Sequence, residues 1–221
     1  MPENKHFIVL GLGTFGTGLA ERLAHNGCRV TGVDVRREVV DGLKDVLYEA
    51  VIADASDRES LEGLSLNTVQ AVFISLGENI SLSLLAALHA KELGARRIVV
   101  KGVTQAHGRL LKYLGVERVI FPETEIAQSL ADRETWPNVV DFLPIDPDYS
   151  FLEIAVPDSF VAKTLREMNL RQRIGVWVVG IKDVLSGHLE MFPAGDFRFN
   201  EDQLLLVVGK HANLNRLREL K

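Results

Sequence analysis

Cysteine is almost absent from this sequence of 221 residues. Cys28 is the single cysteine, so the chain cannot form an internal disulfide and carries no cysteine-rich zinc site. Proteins that keep so few thiols and no disulfide framework are typical of reducing compartments. We therefore expect a cytoplasmic protein.

Long apolar runs are also missing. The longest uncharged stretch, Gly63 to Gly77, has 15 residues and contains Ser, Asn, Thr and Gln. A helix needs about 20 apolar residues to cross a bilayer. The N-terminus offers four clearly apolar residues, Phe7–Leu10, before Gly11, which is too few for a signal peptide. We expect no membrane insertion, although the chain could dock on a protein that spans the membrane.

An excess of positive charge is missing as well. The chain has 25 basic and 30 acidic residues, a formal net charge of −5. Nucleic-acid binding usually leaves a basic footprint, so we expect no nucleic-acid partner. The 47% apolar and 25% charged residues are typical of a globular protein. The length favours one domain of about 130 to 150 residues with a small second one.

Short apolar runs alternate with helical patterns over the first 122 residues. Continuous runs rich in Val and Ile predict strands covered on both faces, and alternation with helices predicts a parallel sheet. The sequence therefore predicts an α/β, doubly wound (Rossmann) sheet of six strands. These strands are predicted at Phe7–Leu10, Arg29–Asp34, Ala50–Ala53, Ala71–Ser75, Ile98–Lys101 and Val119–Phe121.

Local signals at the helix ends agree with this pattern. Ser56 and Glu59 have the spacing of a capping box at the start of the helix after the third strand. Gly27, Gly94 and Gly115 each follow a helical stretch and precede a strand, where a left-handed residue is favoured.

The pattern changes near residue 136, where prolines begin to cluster. We place a domain boundary there, giving a nucleotide-binding domain at 1–136 and a smaller α+β domain at 137–221. A helix at Glu123–Arg133 is expected to lead out of the first domain. In the second we predict strands at Ser150–Val156, Ile174–Ile181, Leu189–Phe192 and Leu204–Val208, and helices at Val161–Met168 and Ala212–Leu220.

The strongest motif is Gly11-Leu12-Gly13-Thr14-Phe15-Gly16. It follows a strand and opens a helix, and Asp34 ends the next strand, 21 residues after Gly13. This is the context that the dinucleotide-binding fingerprint requires. Gly11 permits the tight turn, Gly13 lets a pyrophosphate approach the backbone, and Gly16 lets the helix pack on the strand. Asp34 would accept hydrogen bonds from the adenosine ribose and repel a 2′-phosphate, which disfavours NADP.

Further candidate positions follow the other strands, at the edge where such sheets bind ligands. Asp54 and Ala55 follow the third strand and are candidates to flank an adenine ring, although Asp54 could equally serve only the adjacent helix. Ser75 and Gly77 follow the fourth strand, near the expected switch point. Lys101 ends the fifth strand and is a candidate phosphate ligand, or else a solvated surface lysine.

The sequence offers little for catalysis. A dehydrogenase needs a proton donor beside the nicotinamide. No tyrosine is followed by a lysine four residues later, and Cys28 lies at the edge of the sheet away from the ligand. His89 falls on an apolar helix face, so His107, near the ligand edge, is the remaining candidate.

The ordered motifs resemble those of one family. In the first lobe they are the glycine motif, Val33-Asp34, Ala53-Asp54-Ala55, Leu76-Gly77-Glu78-Asn79, Val100-Lys101 and Phe121-Pro122-Glu123. In the second they are Leu152-Glu153-Ile154, Gly175-Val176 and the stretch Asp202–Gly209. The chain thus resembles, over nearly its whole length, the RCK (regulator of potassium conductance) subunits of Ktr/Trk potassium-uptake systems.

The resemblance implies a regulatory subunit and not an enzyme. Such subunits form an eight-membered homo-oligomeric ring under a membrane-embedded potassium transporter, and nucleotide binding changes the shape of the ring. The family's ligands are NAD(H), ADP or ATP. ATP-gated members have an arginine where this chain has Thr14. This difference favours NAD(H) or ADP over ATP as the ligand of this chain. The resemblance also makes Glu123 a candidate ligand for a divalent cation. Alternatively, Glu123 is only an acidic residue at a helix N-terminus, where the helix dipole favours negative charge.

Three functions are compatible with these features to different degrees. The first is a nucleotide-sensing regulatory module of potassium transport without turnover. The second is a small NAD-dependent oxidoreductase, which would depend on His107. The third, an NAD-sensing transcriptional regulator, is disfavoured by the acidic balance and the lack of a helix-turn-helix pattern.

Overall fold

The computed structural model describes residues 5–136, 138–146 and 148–220, without the side chain of Pro144. By its contacts the chain divides into two compact units, Met1–Glu123 and Thr124–Lys221. The helix Pro122–Thr135 crosses this division. The boundary at 136/137 lies at the far end of that helix and stays a prediction. Among the described residues, none of the helices is both long and apolar enough to cross a membrane.

The first unit alternates strands and helices throughout, and all six predicted strands are present. The elements are β1 (His6–Leu10), α1 (Thr14–His25), β2 (Arg29–Asp34), α2 (Arg37–Leu43), β3 (Glu49–Ile52), α3 (Arg58–Glu62), β4 (Ala71–Ile74), α4 (Ile80–Glu92), β5 (Ile98–Lys101), α5 (Gln105–Tyr113), β6 (Arg118–Ile120) and α6 (Pro122–Thr135).

The six strands form one parallel sheet in the order β3-β2-β1-β4-β5-β6. This is the doubly wound order, which confirms the predicted fold class. Leu10 of β1 stands opposite Val33 of β2 on one side and Ile74 of β4 on the other. Strands β2 and β3 lie on one side of β1, whereas β4, β5 and β6 lie on the other. The strand order thus reverses between β1 and β4, and a crevice opens at the carboxyl ends of these two strands.

Apolar side chains cover both faces of this sheet. Ile8 and Leu10 pack into one core cluster and Val9 into another, and all three are fully buried. Because neighbouring residues of a strand point to opposite faces, the continuous apolar run of β1 supplies both layers. This double burial is what the uninterrupted Val, Ile and Leu runs predicted.

The predicted local signals were confirmed at the glycines and wrong at Ser56. Gly27, Gly94 and Gly115 have φ angles of +81°, +83° and +81°. Helix α3 is capped by Asp57, whose carboxylate accepts from the Ser60 N–H at 3.0 Å. The Ser56 hydroxyl instead donates to Asp54 Oδ1 at 2.7 Å, so it is engaged in the preceding turn.

The second unit is a smaller α+β lobe, as predicted. Its strands form an antiparallel sheet in the order β10-β9-β11-β8-β7. After the end of α6 the elements are β7 (Val139–Pro144), β8 (Tyr149–Ala155), a 3₁₀ turn (Asp158–Phe160), α7 (Leu165–Met168), α8 (Leu170–Arg173), β9 (Val176–Asp183), β10 (Leu189–Met191), β11 (Gln203–Lys210) and α9 (His211–Arg218).

Some features of this lobe differ from the expectations, and the short helix α8 was not predicted. Strand β7 was not predicted, because its flanking prolines resemble a linker; it lies at the edge of the sheet, where proline is tolerated. The helix expected over Val161–Met168 is shorter. Ala162 has a φ of +63°, and α7 begins after Thr164, which forms a capping box with Glu167.

Candidate functional site

A cavity of about 470 Å³ opens at the carboxyl end of the parallel sheet. Residues that follow β1, β2, β3 and β4 meet there, so the crevice expected at the switch point is present. Seven of the predicted site residues line it: Gly11, Gly13, Asp34, Asp54, Ala55, Ser75 and Gly77. Apolar side chains of Val33, Val35, Ala53, Leu76 and Leu82 complete the lining together with Arg36.

The glycine loop has no room for a side chain at two of its three glycines, Gly11 and Gly16. Gly11 has a φ of +92° and donates its N–H to the Val33 carbonyl at 2.8 Å. A Cβ on Gly11 would overlap the Ser75 carbonyl, and a Cβ on Gly16 would overlap the Gly11 carbonyl. These two glycines therefore hold the turn against β4 and helix α1 against the turn.

Gly13 differs because it faces open space. It has an ordinary extended backbone, and a Cβ added there would meet nothing within 4 Å. Gly13 is also the N-cap of α1, which has no side-chain cap and no acidic residue in its first turn. Helix N-termini with free N–H groups attract anions. The space over Gly13 is thus suited to a diphosphate.

Asp34 lies at the end of β2 with a fully engaged carboxylate. Oδ2 accepts from the Leu12 N–H at 2.8 Å and from Arg36 Nη2 at 2.9 Å. Oδ1 accepts from the Arg36 backbone N–H and from its Nε, both at 2.9 Å. Burial alone would raise the pKa of Asp34, but the hydrogen bonds from Arg36 and Leu12 lower it to about 2. The carboxylate is therefore ionised throughout the physiological range.

Arg36 is the main residue that the sequence analysis missed. Its guanidinium also donates from Nη2 to the Leu12 carbonyl at 3.2 Å, so it joins the end of β2 to the glycine loop. Among the described residues that line the cavity, it alone carries a positive charge. The available signal was its position two residues after Asp34, on the same side of an extended chain.

The position of Asp54 is compatible with both of the roles that the sequence left open, and its contact with an adenine ring stays a prediction. Asp54 lines the cavity, and its Oδ1 accepts from the Ser56 N–H at 2.8 Å within the turn after β3. Ala55 is 3% exposed and packs into the core. On the other side of the crevice, Ser75 is buried and Gly77 turns the chain away with a φ of +69°.

The other predicted site residues lie outside the lining of the cavity. Leu12 is buried and contributes its backbone groups to the Asp34 and Arg36 contacts. Thr14 is exposed at the start of α1, followed by half-buried Phe15. Lys101 forms an ion pair with Glu123, which lowers the pKa of that carboxyl group. Within the described ranges no group of three or more His, Cys, Asp and Glu could hold a metal ion.

His107 is part of the core and not of the cavity lining. It is 1% exposed, accepts from the Val103 N–H at Nδ1 over 3.2 Å, and approaches Ser83 Oγ with Nε2 at 3.0 Å. Because Nδ1 accepts, the proton of the neutral ring lies on Nε2 and is donated to Ser83. Burial lowers the pKa of His107. The residue joins α5 to α4.

The fold and this crevice define a two-lobed protein with a Rossmann-type ligand site in its first lobe. The TrkA-N domain family matches residues 7–122, and the TrkA-C domain family matches residues 151–221. The chain therefore belongs to the TrkA-N/TrkA-C family, the RCK-type proteins that its motifs predicted.

Two relatives are similar over almost their full length. The Ktr system potassium uptake protein A of Bacillus subtilis is 31% identical, over 97% of this chain and 96% of its own. The Ktr system potassium uptake protein C of Bacillus subtilis is 29% identical, over 96% of this chain and 95% of its own. Among solved structures, the GsuK channel bound to NAD is similar in structure to this chain, with a TM-score of 0.65 and 20% identity. The similarity covers 100% of this chain and 40% of the GsuK chain. It shows the same fold.

Proposed function

We propose that this protein is a nucleotide-sensing regulatory subunit of a potassium-uptake system. The observation that carries the proposal is the crevice at the switch point, where the open space over Gly13 and the carboxylate of Asp34 converge. The two similar potassium uptake proteins, matched over nearly their full length, support the transport context. His107, the sequence candidate for a proton donor, is absent from the described lining of the crevice.

The ligand is an adenosine nucleotide with at least a diphosphate. The diphosphate lies over Gly13 at the N-terminus of α1, and Asp34 accepts from the ribose hydroxyls. The adenine ring lies along Ala53, Asp54 and Ala55, while Ser75 and Gly77 border the opposite side. The solved GsuK structure with NAD supports a dinucleotide for this fold.

NAD(H) and ADP fit this crevice better than ATP or NADP. The position after Gly13 is Thr14, so the loop lacks a cation for a third phosphate. The ionised carboxylate of Asp34 repels a 2′-phosphate. We therefore expect NAD(H) and ADP to bind more tightly than ATP.

The bound nucleotide acts as a switch and not as a reactant. His107, the sequence candidate for a proton donor, is held in the core by Ser83 and Val103. A ligand that binds two shapes of an assembly with different affinity shifts the population between them. We propose that the assembly is a homo-oligomeric ring, an octamer, at the cytoplasmic side of a membrane-embedded potassium transporter.

Lys101 and Glu123 belong to this proposal as a pair. Their contact joins the end of β5 to the start of α6, on the ligand edge of the sheet. We propose that Glu123 contributes one carboxylate to a divalent cation site completed by a second copy of the chain. One carboxylate is too few alone, since hard divalent cations take six or more oxygen ligands.

Mass spectrometry of the nucleotide released from denatured, freshly purified protein tests the proposal. We expect NAD(H) or ADP. Added NADH should raise the free energy of unfolding by about 2.7 kcal/mol at 100 times its dissociation constant, and Asp34→Ala should abolish this gain. Absence of any stabilisation by NADH, ADP and ATP, or steady oxidation of a metabolite by the purified protein, would contradict the proposal.

A further inference from the structure

The carboxylate of Asp34 has no free acceptor position. A carboxylate offers about four lone-pair positions, and here four N–H groups take them at 2.8 to 2.9 Å. Two of these donors are the backbone N–H groups of Leu12 and Arg36, which are fixed by the loop and the strand end. The other two, Nε and Nη2, belong to the Arg36 guanidinium.

The proposed ribose contact needs the two positions that the guanidinium holds. An adenosine ribose presents two adjacent hydroxyl donors to the acid at this place in the fold. The guanidinium presents two adjacent N–H donors to the same two oxygens. Both cannot bind at once, whereas the backbone donors need not move.

We propose that Arg36 is an internal competitor for the nucleotide, which occupies the ribose position of Asp34 until the ligand displaces it. This inference rests on the proposed function and adds a residue that sets the affinity of the site. The Arg36 side chain is suited to the exchange because it is 48% exposed, while Asp34 is 7% exposed. The arginine can swing into solvent without opening the core.

The same movement removes one contact of the glycine loop, while the Leu12 N–H stays bonded to Asp34 and the Gly11 N–H to Val33. The Arg36 guanidinium is bonded to the Leu12 carbonyl as well as to Asp34, so it clasps the loop to the end of β2. Entry of the ribose would break both contacts together. The nucleotide would then replace a contact within the protein with its own bonds to Asp34 and to the N-terminus of α1.

Two possible roles of Arg36, competition for Asp34 and simple attraction of the ligand, predict opposite changes in nucleotide affinity when the guanidinium is removed. If Arg36 only attracted the anionic ligand, its removal would weaken binding. If Arg36 competes for Asp34, its removal strengthens binding by the free energy of the broken ion pair. Half-exposed ion pairs contribute at most about 1 kcal/mol, which corresponds to about a fivefold change in affinity.

Isothermal titration calorimetry of the full chain with NADH and with ADP distinguishes the two. We expect Arg36→Met to bind both about fivefold more tightly than the wild type. Arg37→Met is the matched control, because it removes the same charge from the exposed next position; its affinity should equal that of the wild type. Inorganic pyrophosphate, which has no ribose, should gain nothing from Arg36→Met.

Equal or weaker binding of NADH by Arg36→Met would overturn the inference while leaving the proposed function intact. If neither the wild type nor Arg36→Met bound NADH, ADP or ATP, the proposed function would fail as well. Should Arg36→Met melt far below the wild type, Arg36→Gln replaces it in the same titration. A crystal structure of the NADH complex gives a second readout: Arg36 still bonded to both oxygens of Asp34 would overturn the inference.

Discussion

Gly16 lies directly against the carbonyl of Gly11, so that helix α1 rests on the turn that precedes it, and an added Cβ would overlap that carbonyl. At Gly13 the same addition meets open space. Two glycines of one motif thus have different reasons to lack a side chain. One is required by packing within the protein, and the other leaves room for something outside it.

We therefore expect Gly16→Ala and Gly13→Ala to separate folding from binding. Gly16→Ala should lower the melting temperature strongly or prevent folding, because backbone carbonyls cannot yield to the methyl group. Gly13→Ala should stay folded with a melting temperature near that of the wild type, yet lose most of its NADH affinity in calorimetry. Retention of wild-type affinity in Gly13→Ala would show that no phosphate lies over this residue.

The ionised carboxylate of Asp34 should make stability depend on pH. Its pKa of about 2 in the folded protein lies below the ordinary value of 3.8. The stabilisation is therefore complete above pH 5 and is lost as the pH falls from about 4 to about 2. The shift corresponds to about 2 kcal/mol.

Denaturant unfolding of the wild type and Asp34→Asn, at equal protein concentration, measures this contribution. We expect the wild type to be more stable at pH 7 and the difference to shrink at pH 3. Other carboxylates lower the stability of both proteins in acid, so the difference between them isolates Asp34. A difference of the same size at both pH values would contradict the low pKa.

His107 should matter for stability and not for ligand binding. Replacement by Leu removes the acceptor of the Val103 N–H and the donor to Ser83, which is 2% exposed. Loss of partners for buried polar groups costs about 1 to 3 kcal/mol. We expect a lower melting temperature for His107→Leu with NADH affinity unchanged. Weaker NADH binding at an unaltered melting temperature would instead give His107 a role in the site.

Much of the fold and part of the site could be predicted from the sequence. The parallel sheet was predictable because strands buried on both faces are continuous apolar runs, as Ile8, Val9 and Leu10 show. The position of the crevice was predictable as well, because its glycines and Asp34 have the spacing of the dinucleotide-binding motif. Strand β7 was missed because it forms the edge of a sheet whose partner, β8, lies after the prolines.

The orientation of a side chain is harder to predict than its position. The sequence placed Asp34 at the ligand edge and Arg36 two residues later on the same side of the chain. It did not determine that the guanidinium bonds to Asp34, because the arginine has several accessible rotamers. Asp57 replaced Ser56 as the cap of α3 for a similar reason. Ser56 had the right spacing, but the neighbouring Asp54 engages its hydroxyl.

The assembly is expected to be larger than a dimer, and helix α6 provides a way to test this. Its apolar residues Ile126 and Leu130 are 67% and 53% exposed in the single chain and lie four residues apart on one side of the helix. If copies of the chain contacted each other through this side of α6, the two apolar side chains would become buried. The proposed ring predicts that multi-angle light scattering of the wild type gives a mass well above 49 kDa, twice the chain mass of 24.5 kDa.

Charges on this side of α6 should break the assembly. We expect the double variant Ile126→Lys and Leu130→Lys to give a smaller mass than the wild type in light scattering at the same concentration. The control adds the same two charges, with the same spacing, at the exposed residues Thr124 and Gln128 of the same helix. Because those residues lie on a different side, the control should keep the wild-type mass. A wild-type mass of 24.5 kDa would rule out a ring, and equal masses for the two variants would place the interface elsewhere.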